Sequence, residues 1–551
     1  MVNSETQASA ADNRERHLRL LTYLAGAQAT FHLHEQTTVT GRVEHLDPDG
    51  KAIFVSQLET PLGVLPQALL RINDLHYAKF DLAKDDAAAD QKSCLHRLSA
   101  IQSALSLLRP FLDAYMIDFF LLGHWERLPT SWRCFLDNLE TEDICPFLHS
   151  LLSYSQPIRS LRSPAPLSLT ALRSLLAVYA LPRQPSANLR PLNLPRELQS
   201  RLKAKKRHEL SRLLPLITVL REEVGAGAVL DVGAGVGHLS RLLSSQLPAS
   251  VRLVAVEAEA AFLQRSRDLD RKAAILLRKH EMPGLAAVGK VEARLGLGEK
   301  KGVEGVSLAE LGVEGSKLLV GLHSCGDLTP ALLRHFVDNA SVKGVVSLSC
   351  CYHKLNGGLD REGRDDWGTE AAKDSAFGYP LSTAGATFPS LTYSERETAC
   401  HGLEVFQQKL QQGSLSHLKV HQYRAALEVF LLRAAKDGRS KRGLGPVKMS
   451  SETSFHHYAR QALTSQPPNL AQATLQLIQE SEEEVERLCS SRELKRVCAF
   501  FALRLLTAPL LESAILLDRA LYLMENGLPA SIIPIFDPHI SSRNAALVSW
   551  K

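Results

Sequence analysis

Two short stretches, GLHSCGDL from residue 321 and SLSCCYHKL from residue 347, set His323, Cys325, Asp327, Cys350, Cys351 and His353 directly after apolar runs. Side chains of these types can take up a proton, attack as a thiolate or bind a metal ion. Packing alone asks for no such row. Each apolar run reads as a buried strand. In an open α/β sheet, ligands sit beyond the carboxyl ends of the strands, and polar residues belong there. His323, Asp327, Cys351 and His353 are therefore the candidate catalytic residues, with either histidine or Asp327 as base. Each also has a plainer use. Cysteines fill small gaps in cores, and Asp327 can cap a helix that starts near Thr329. The two Cys/His pairs lack the ligand spacing of a zinc finger, so no metal is expected.

A third stretch, AVLDVGAGVGHLSRLL from Ala228, runs from an apolar strand ending at Asp231 through Gly233-x-Gly235-x-Gly237 into a helix with Leu239, Leu242 and Leu243 on one side. Glycines there let backbone N–H groups approach a ligand at a helix N-terminus. A dinucleotide fingerprint would place its last glycine at position 238, which is His238. The loop therefore favours S-adenosylmethionine over a nicotinamide cofactor, and methyl transfer over hydride transfer. The next strand, VRLVAVEA, ends in Glu257, about twenty residues beyond the loop, where a carboxylate can accept both ribose hydroxyls. Asp231, Gly233, Gly235, Gly237 and Glu257 are the expected cofactor-binding residues. Residues 281–316 have irregular glycine spacing and predict no clean third strand.

These elements need a scaffold larger than one core, since 551 residues exceed what a single hydrophobic core organises. The formal charge of +5 is too dilute to make the whole chain a polyanion binder. One local basic run, RLKAKKRHEL at 201–210, offers Lys203, Lys205, Lys206 and Arg207 as a possible RNA contact beside its ordinary use as a solvated helix face. Nine scattered cysteines suit a reducing compartment, the cytosol or nucleus. Met1 to Asn13 is polar, reads as a disordered tail and lacks the pattern of a signal peptide. The apolar run Val497–Leu523 contains Arg504, Glu512, Asp518 and Arg519, so a buried helix is expected rather than a membrane span.

Ahead of this scaffold, residues 14–25 have helical spacing. ATFHLHE, TVTGRVEHL, AIFVSQLET and ALLRINDLHYAKFDL follow as short β-rich runs, two of them joined by the turn former DPDG. A helix followed by an antiparallel meander of about five strands can close as a small barrel. The segments FHLHEQTTVTGRVEHLDPDG, VSQLETPLGV and ALLRINDL resemble the Sm-like family of the seventh Gemin protein, over residues 14–82. That resemblance implies an Sm-like β-barrel with a leading helix, paired edge to edge with another Sm-like Gemin and joined to the SMN complex. Sm proteins that grip RNA carry an Arg-Gly step in the last strand pair. Here Arg71 is followed by Ile72, so a protein partner is expected rather than uridine-rich RNA.

Farther on, KKRHEL, LDVGAGVGHLS, GLHSCGDL, SLSCCYHKL, GYPLS, YRAALE, LLDRALYL and FDPHISSRN resemble the methyltransferase-like 25 family, in particular its 25B branch, from about residue 94 onward. The family implies a class I, Rossmann-like methyltransferase that uses S-adenosylmethionine. A label of ribosomal-RNA adenine dimethylase attaches to that branch, yet the Asn/Asp-Pro-Pro-aromatic turn that receives an adenine amine is absent. A hydroxyl, a protein side chain or a small molecule is the expected acceptor, with RNA or protein favoured. The expected layout is a tail at 1–13, the Sm-like domain at 14–82, a linker at 83–93 and a helical region at 94–154. A second linker at 155–200 then leads to the α/β methyltransferase domain at 201–551, with an insertion at about 356–490. The terminal runs ASIIPIFD and NAALVSWK are expected to complete a seven-stranded sheet. The competing function is a scaffold of the SMN complex with a degenerate, non-enzymatic methyltransferase fold.

Overall fold

The computed structural model describes residues 28–33, 37–46, 52–61, 63–71, 74–81, 91–154, 158, 164–185, 190–199, 202–281, 284–296, 306–355, 378–389, 391–412, 415–435, 444–450 and 452–551. The expected tail at 1–13, the leading helix at 14–25, most of the linker at 83–93 and the first part of the insertion, 356–377, lie outside them. The chain divides into two units. One comprises Met1–Lys84, Ala104–Val178 and Phe406–Thr507, the other Asp85–Ser103, Tyr179–Val405 and Ala508–Lys551.

The first unit contains five antiparallel strands: β1 (Gln28–Leu33), β2 (Thr38–Leu46), β3 (Ala52–Thr60), β4 (Gly63–Arg71) and β5 (Leu75–Asp81). Their spatial order is β4-β3-β2-β1-β5. Alternating positions, among them Ala29 and Phe31 on β1, Val39 and Val43 on β2, and Ile53 and Val55 on β3, face one core that also receives Leu167 and Ala171 from the Leu167–Tyr179 helix. The expected closed barrel is corrected here. Among the described residues the ladder stops at β4 on one side and β5 on the other, so the sheet is open. Closure requires the first and last strands to pair, and β4 instead leaves most of its residues exposed. The helical part of this unit buries Trp125 and Trp132, with Trp132 Nε1 donating to Ser168 Oγ at 2.9 Å. A second cluster gathers Phe430, Phe455, Tyr458 and Ile478.

The second unit is built on β6 (Ala228–Val232), β7 (Arg252–Glu257), β8 (Val288–Glu292), β9 (Lys317–Ser324), β10 (Val342–Ser349), β11 (Ser531–Pro534) and β12 (Ala545–Trp550). Their order is β11-β12-β10-β9-β6-β7-β8. The neighbours from β10 through β8 are parallel, and β12 lies antiparallel between β10 and β11. The terminal pair completes the sheet as expected. Successive residues of each central strand feed opposite faces: Val229, Leu253, Leu318 and Val346 meet one apolar layer, and Leu230, Val254, Leu319 and Val345 the other. β8 was not legible in the sequence. It is an edge strand with Gly289 and Lys290 at its centre and only partial burial, so it has neither an apolar run nor a clean alternation.

The long apolar run near the end forms two helices, Ser491–Leu506 and Ala508–Glu525, separated at Thr507. Pro509 stands in the first turn of the second helix, where its missing N–H breaks no helical bond. The stretch Ser491–Glu525 is long and apolar enough to cross a membrane, but 94% of its most apolar window is buried within the protein. The charge of Asp518 is taken up internally: it accepts from the Leu381 and Ser382 N–H groups at 2.7 and 3.0 Å.

Candidate active site

The cofactor end lies at the carboxyl tips of β6 and β7, where the parallel order switches direction between β9 and β7 on either side of β6. Gly233, Gly235 and Gly237 adopt φ of +73°, +56° and +71°, a region that a side chain disfavours. This left-handed path folds the loop back onto β7: the Gly233 and Ala234 N–H groups donate to Val256 O at 2.8 and 3.1 Å. Glu257 then meets the loop directly. Its Oε2 accepts from Gly235 N–H at 2.7 Å, and its Oε1 from Glu259 N–H at 3.1 Å. Each oxygen keeps lone-pair capacity for a further donor. Asp231 is buried beneath the loop and accepts from Ser240 Oγ; burial pushes its carboxyl up to about 6 despite that bond.

At Gly237 a Cβ would collide with Ser266 Oγ, so any side chain at the third loop position must displace that serine. His238 opens the Ser240-bearing helix, His238–Ser244. Burial, with Arg241, Lys206 and Arg265 nearby, lowers its pKa to about 4 and keeps it neutral. Arg241 braces the loop from behind, donating to Asp270 Oδ1 at 2.7 Å and to Val236 O at 3.2 Å, and Lys290 shares Asp270 at 2.6 Å.

The second end lies at the tips of β9 and β10. His323 takes φ +63°, an uncommon conformation for a non-glycine residue and one that clusters at functional sites. Its Nε2 lies 3.0 Å from Oε2 of Glu209. Glu209 is fully buried on the Ala204–Glu223 helix. It also receives Lys206 Nζ at 2.7 Å and Ser541 Oγ at 2.8 Å. Burial alone would raise its pKa, but the bonds from His323 and Lys206 win and hold the carboxyl down to about 2. A buried carboxylate so placed fixes the ring orientation of His323 and leaves Nδ1 for other work.

Gly326 follows at φ +55°, and a Cβ there would come within 2.8 Å of Lys354 O. That close approach docks the turn after β9 onto the short Tyr352–Lys354 helix and brings Cys325 beside Cys350 and Cys351. The sulfurs are 3.1 Å (Cys325 to Cys350), 3.2 Å (Cys325 to Cys351) and 3.3 Å (Cys350 to Cys351) apart. The contact with Cys350 outweighs burial, with Cys351, Lys354 and His323 adding, so Cys325 is lowered to about 6. Cys350 moves in the opposite direction, mainly through that same contact.

His353 turns away from this cluster; its Nδ1 lies 3.3 Å from Cys400 Sγ, and burial lowers its pKa. Asp327 occupies the N-cap position of the Leu328–Asp338 helix, without a side-chain capping bond. Cys351 thus meets Cys325 and Cys350, His323 is held by Glu209, and His353 pairs with Cys400.

Below the cluster runs a charge network that the sequence did not show. Glu512 accepts from Tyr352 OH at 2.9 Å, Arg183 Nη1 at 2.8 Å and Arg543 Nη1 at 3.1 Å. Arg519, also buried, donates to Ser349 Oγ and lies over the Tyr352 ring at 5.6 Å. Of the basic run, Lys206 is engaged by Glu209, while Lys203, Lys205 and Arg207 are exposed.

Comparison with known proteins agrees with both ends of the molecule. Residues 5–80 match the family model of Gem-associated protein 7 (Gemin7), and residues 205–358 match that of a methyltransferase domain. Over 247 residues the chain is 29% identical to the mouse protein described as probable methyltransferase-like protein 25, an alignment covering 42% of this chain and 37% of the relative. The human counterpart is 28% identical over 246 residues, with the same shares. Mouse Gem-associated protein 7 is 42% identical over 79 residues, 14% of this chain and 61% of that protein. The chain spans 37% of the length of the two methyltransferase-like relatives. It therefore joins a Gemin7 domain at its N-terminus to a methyltransferase domain homologous to the methyltransferase-like 25 proteins.

Proposed function

We propose that the seven-stranded unit binds S-adenosylmethionine at Asp231, Gly233, Gly235, Gly237 and Glu257 and transfers its methyl group to an acceptor at the tips of β9 and β10. The observation that carries this is the Gly235 N–H to Glu257 bond at 2.7 Å, which joins the glycine loop to a carboxylate at the end of the next strand. The pairing suits a ligand with a ribose diol, and His238 where a dinucleotide fingerprint has its last glycine favours S-adenosylmethionine over a ligand with a pyrophosphate. S-adenosylmethionine would supply a methyl group on a positively charged sulfur. The chain's own share is to hold the acceptor and remove its proton. His323, oriented by Glu209 and two residues before Cys325, is the best-supported base. RNA or protein is the favoured acceptor class, and Lys203, Lys205 and Arg207, with Lys206, could guide an RNA. Calorimetry on the full chain tests this reading. Glu257→Ala should weaken S-adenosylmethionine binding by about 1–3 kcal/mol, the scale for removing a buried partner. His323→Ala should keep that binding and lose transfer of labelled methyl. Binding of NADH in place of S-adenosylmethionine would overturn the assignment.

The Gemin7 domain supports a second, independent activity: strand pairing with an Sm-like Gemin partner in the SMN complex, in cytoplasm and nucleus. β4 favours it. Val64, Leu65 and Leu69 on that strand are 57%, 49% and 50% exposed, and an apolar edge that is unpaired on one side among the described residues is a template for another strand. By the same token an assembly role could stand without enzymatic activity. Val55→Pro removes a ladder donor in central β3 and should abolish co-purification with that partner while leaving S-adenosylmethionine binding intact. Retention of the partner would remove strand pairing from the account.

A further inference from the structure

The proposed transfer uses His323 and leaves the three thiols beside it without a role. Several observations separate Cys325, Cys350 and Cys351 from cysteines that fill space. Cys94, Cys145 and Cys498 are buried, whereas Cys325 is exposed and the other two are half-buried. The three come from two strand ends, and the backbone approach at Gly326 that unites them admits no Cβ. None of the nine cysteines is paired in a disulfide.

Distances narrow the possibilities. Separations of 3.1, 3.2 and 3.3 Å are far longer than a disulfide bond of about 2.05 Å. Two sulfurs each about 2.3 Å from a tetrahedral zinc stand about 3.8 Å apart, so the triangle needs to open by roughly half an ångström, within the reach of χ1 adjustments. Thiolates are soft donors and select zinc, copper(I) or iron–sulfur clusters. A cluster of the last kind takes four cysteines, and among the described residues the group of metal-competent side chains here is three. Cys400, the nearest further thiol on the neighbouring segment, accepts from Tyr352 N–H at 3.1 Å and faces His353.

We propose that Cys325, Cys350 and Cys351 bind one zinc ion as a three-thiolate site with its fourth position open at the acceptor end of the sheet. Structural zinc sites close the coordination sphere with four protein ligands; sites with three keep a place for water or substrate. The position fits that distinction, since these thiols stand at the strand tips rather than in a core. Binding replaces thiol protons, up to three for one zinc, and so releases acid as the metal loads. No oxidant or reductant is involved. The site goes beyond methyl transfer, and metal binding can be measured without S-adenosylmethionine.

The test uses the full chain purified under reducing conditions without chelator. Zinc should be present at one equivalent. After its removal, cobalt(II) should bind at one equivalent with the visible bands of a tetrahedral ion and a thiolate-to-cobalt charge-transfer band. That band should lose about a third of its intensity in Cys350→Ser or Cys351→Ser and none in Cys134→Ser, an exposed cysteine elsewhere in the chain. In the unmodified chain, zinc should shield Cys325, Cys350 and Cys351 from alkylation, and a chelator should expose all three; this readout requires no variant to fold. Absence of cobalt bands with all three thiols freely alkylated overturns the proposal. So does a disulfide among them in freshly prepared protein, or stoichiometric copper instead of zinc. S-adenosylmethionine binding, measured in the same samples, distinguishes failure of the metal site from failure of the methyltransferase reading.

Discussion

The tips of β6 and β7 and the tips of β9 and β10 lie along one edge of one sheet, yet they are made of different material. The first is mostly backbone: left-handed glycines and N–H groups, with the carboxylates of Glu257 and Asp231 beside them. The second is mostly side chain: thiols and a strained histidine set over buried ions. Backbone can present donors to a ligand without burying charge. Reactive side chains must be held against their own solvation and repulsion, and that is the task of Glu209, Glu512, Arg519 and Arg543. One end should therefore fail locally when altered, and the other through its foundations.

Glu512→Ala sharpens the contrast most. It strips Arg183 and Arg543 of a buried counter-charge and Tyr352 of its acceptor, and denaturant unfolding should show a loss of about 3–5 kcal/mol. A loss under 1 kcal/mol would mean that the network is not needed to support the second end.

Two carboxylates should respond to acid in opposite senses. Asp231 is raised from 3.8 to about 6, so its protonated form suits the fold. Its contribution is complete below pH 4 and is lost as pH rises through about 6. Glu209 is lowered from 4.5 to about 2, so its contribution is complete above pH 4.5 and is lost as pH falls toward about 2. Asp231→Asn should flatten the upper window and Glu209→Gln the lower, each by about 3 kcal/mol at most. Stability measured by denaturant at stepped pH reports both; identical profiles for the two variants would show that these groups do not carry the dependence.

The smallest effect belongs to the glycines. Gly235→Ala meets open space and bears only the cost of φ +56°, about 1–2 kcal/mol. Gly237→Ala bears that cost and also displaces Ser266. Calorimetry should therefore find S-adenosylmethionine binding weaker in Gly237→Ala than in Gly235→Ala, and the reverse order would contradict the loop geometry.

Much of the cofactor end was legible because its signal is local: strand, glycine spacing and acidic strand end fall within thirty residues or so of one another. The acceptor end was legible only as a set of residue types. Glu209 stands in a basic run that reads as a solvated face, and its partner His323 is remote in sequence, so nothing local marks it as buried. The positive φ of His323 and the meeting of Cys325 with Cys350 and Cys351 are likewise tertiary facts. The open edge of the five-stranded sheet and the break at Thr507 escaped notice for a related reason. Strand alternation says which face is buried but not whether edges join, and an apolar run does not reveal where a helix is interrupted.

The placement of β12 has a kinetic consequence. Gly344 of β10 pairs with Trp550, so an interior position of the sheet is filled by a segment very distant in sequence. Bringing such segments together is slow because loop closure comes before any contact rewards it. Until β12 arrives, β10 is a bare, strongly apolar edge, the kind of surface on which partly folded chains associate. Substitutions that weaken β12 should therefore show first as a falling yield of soluble protein during refolding, with the molecules that do fold retaining an intact glycine loop.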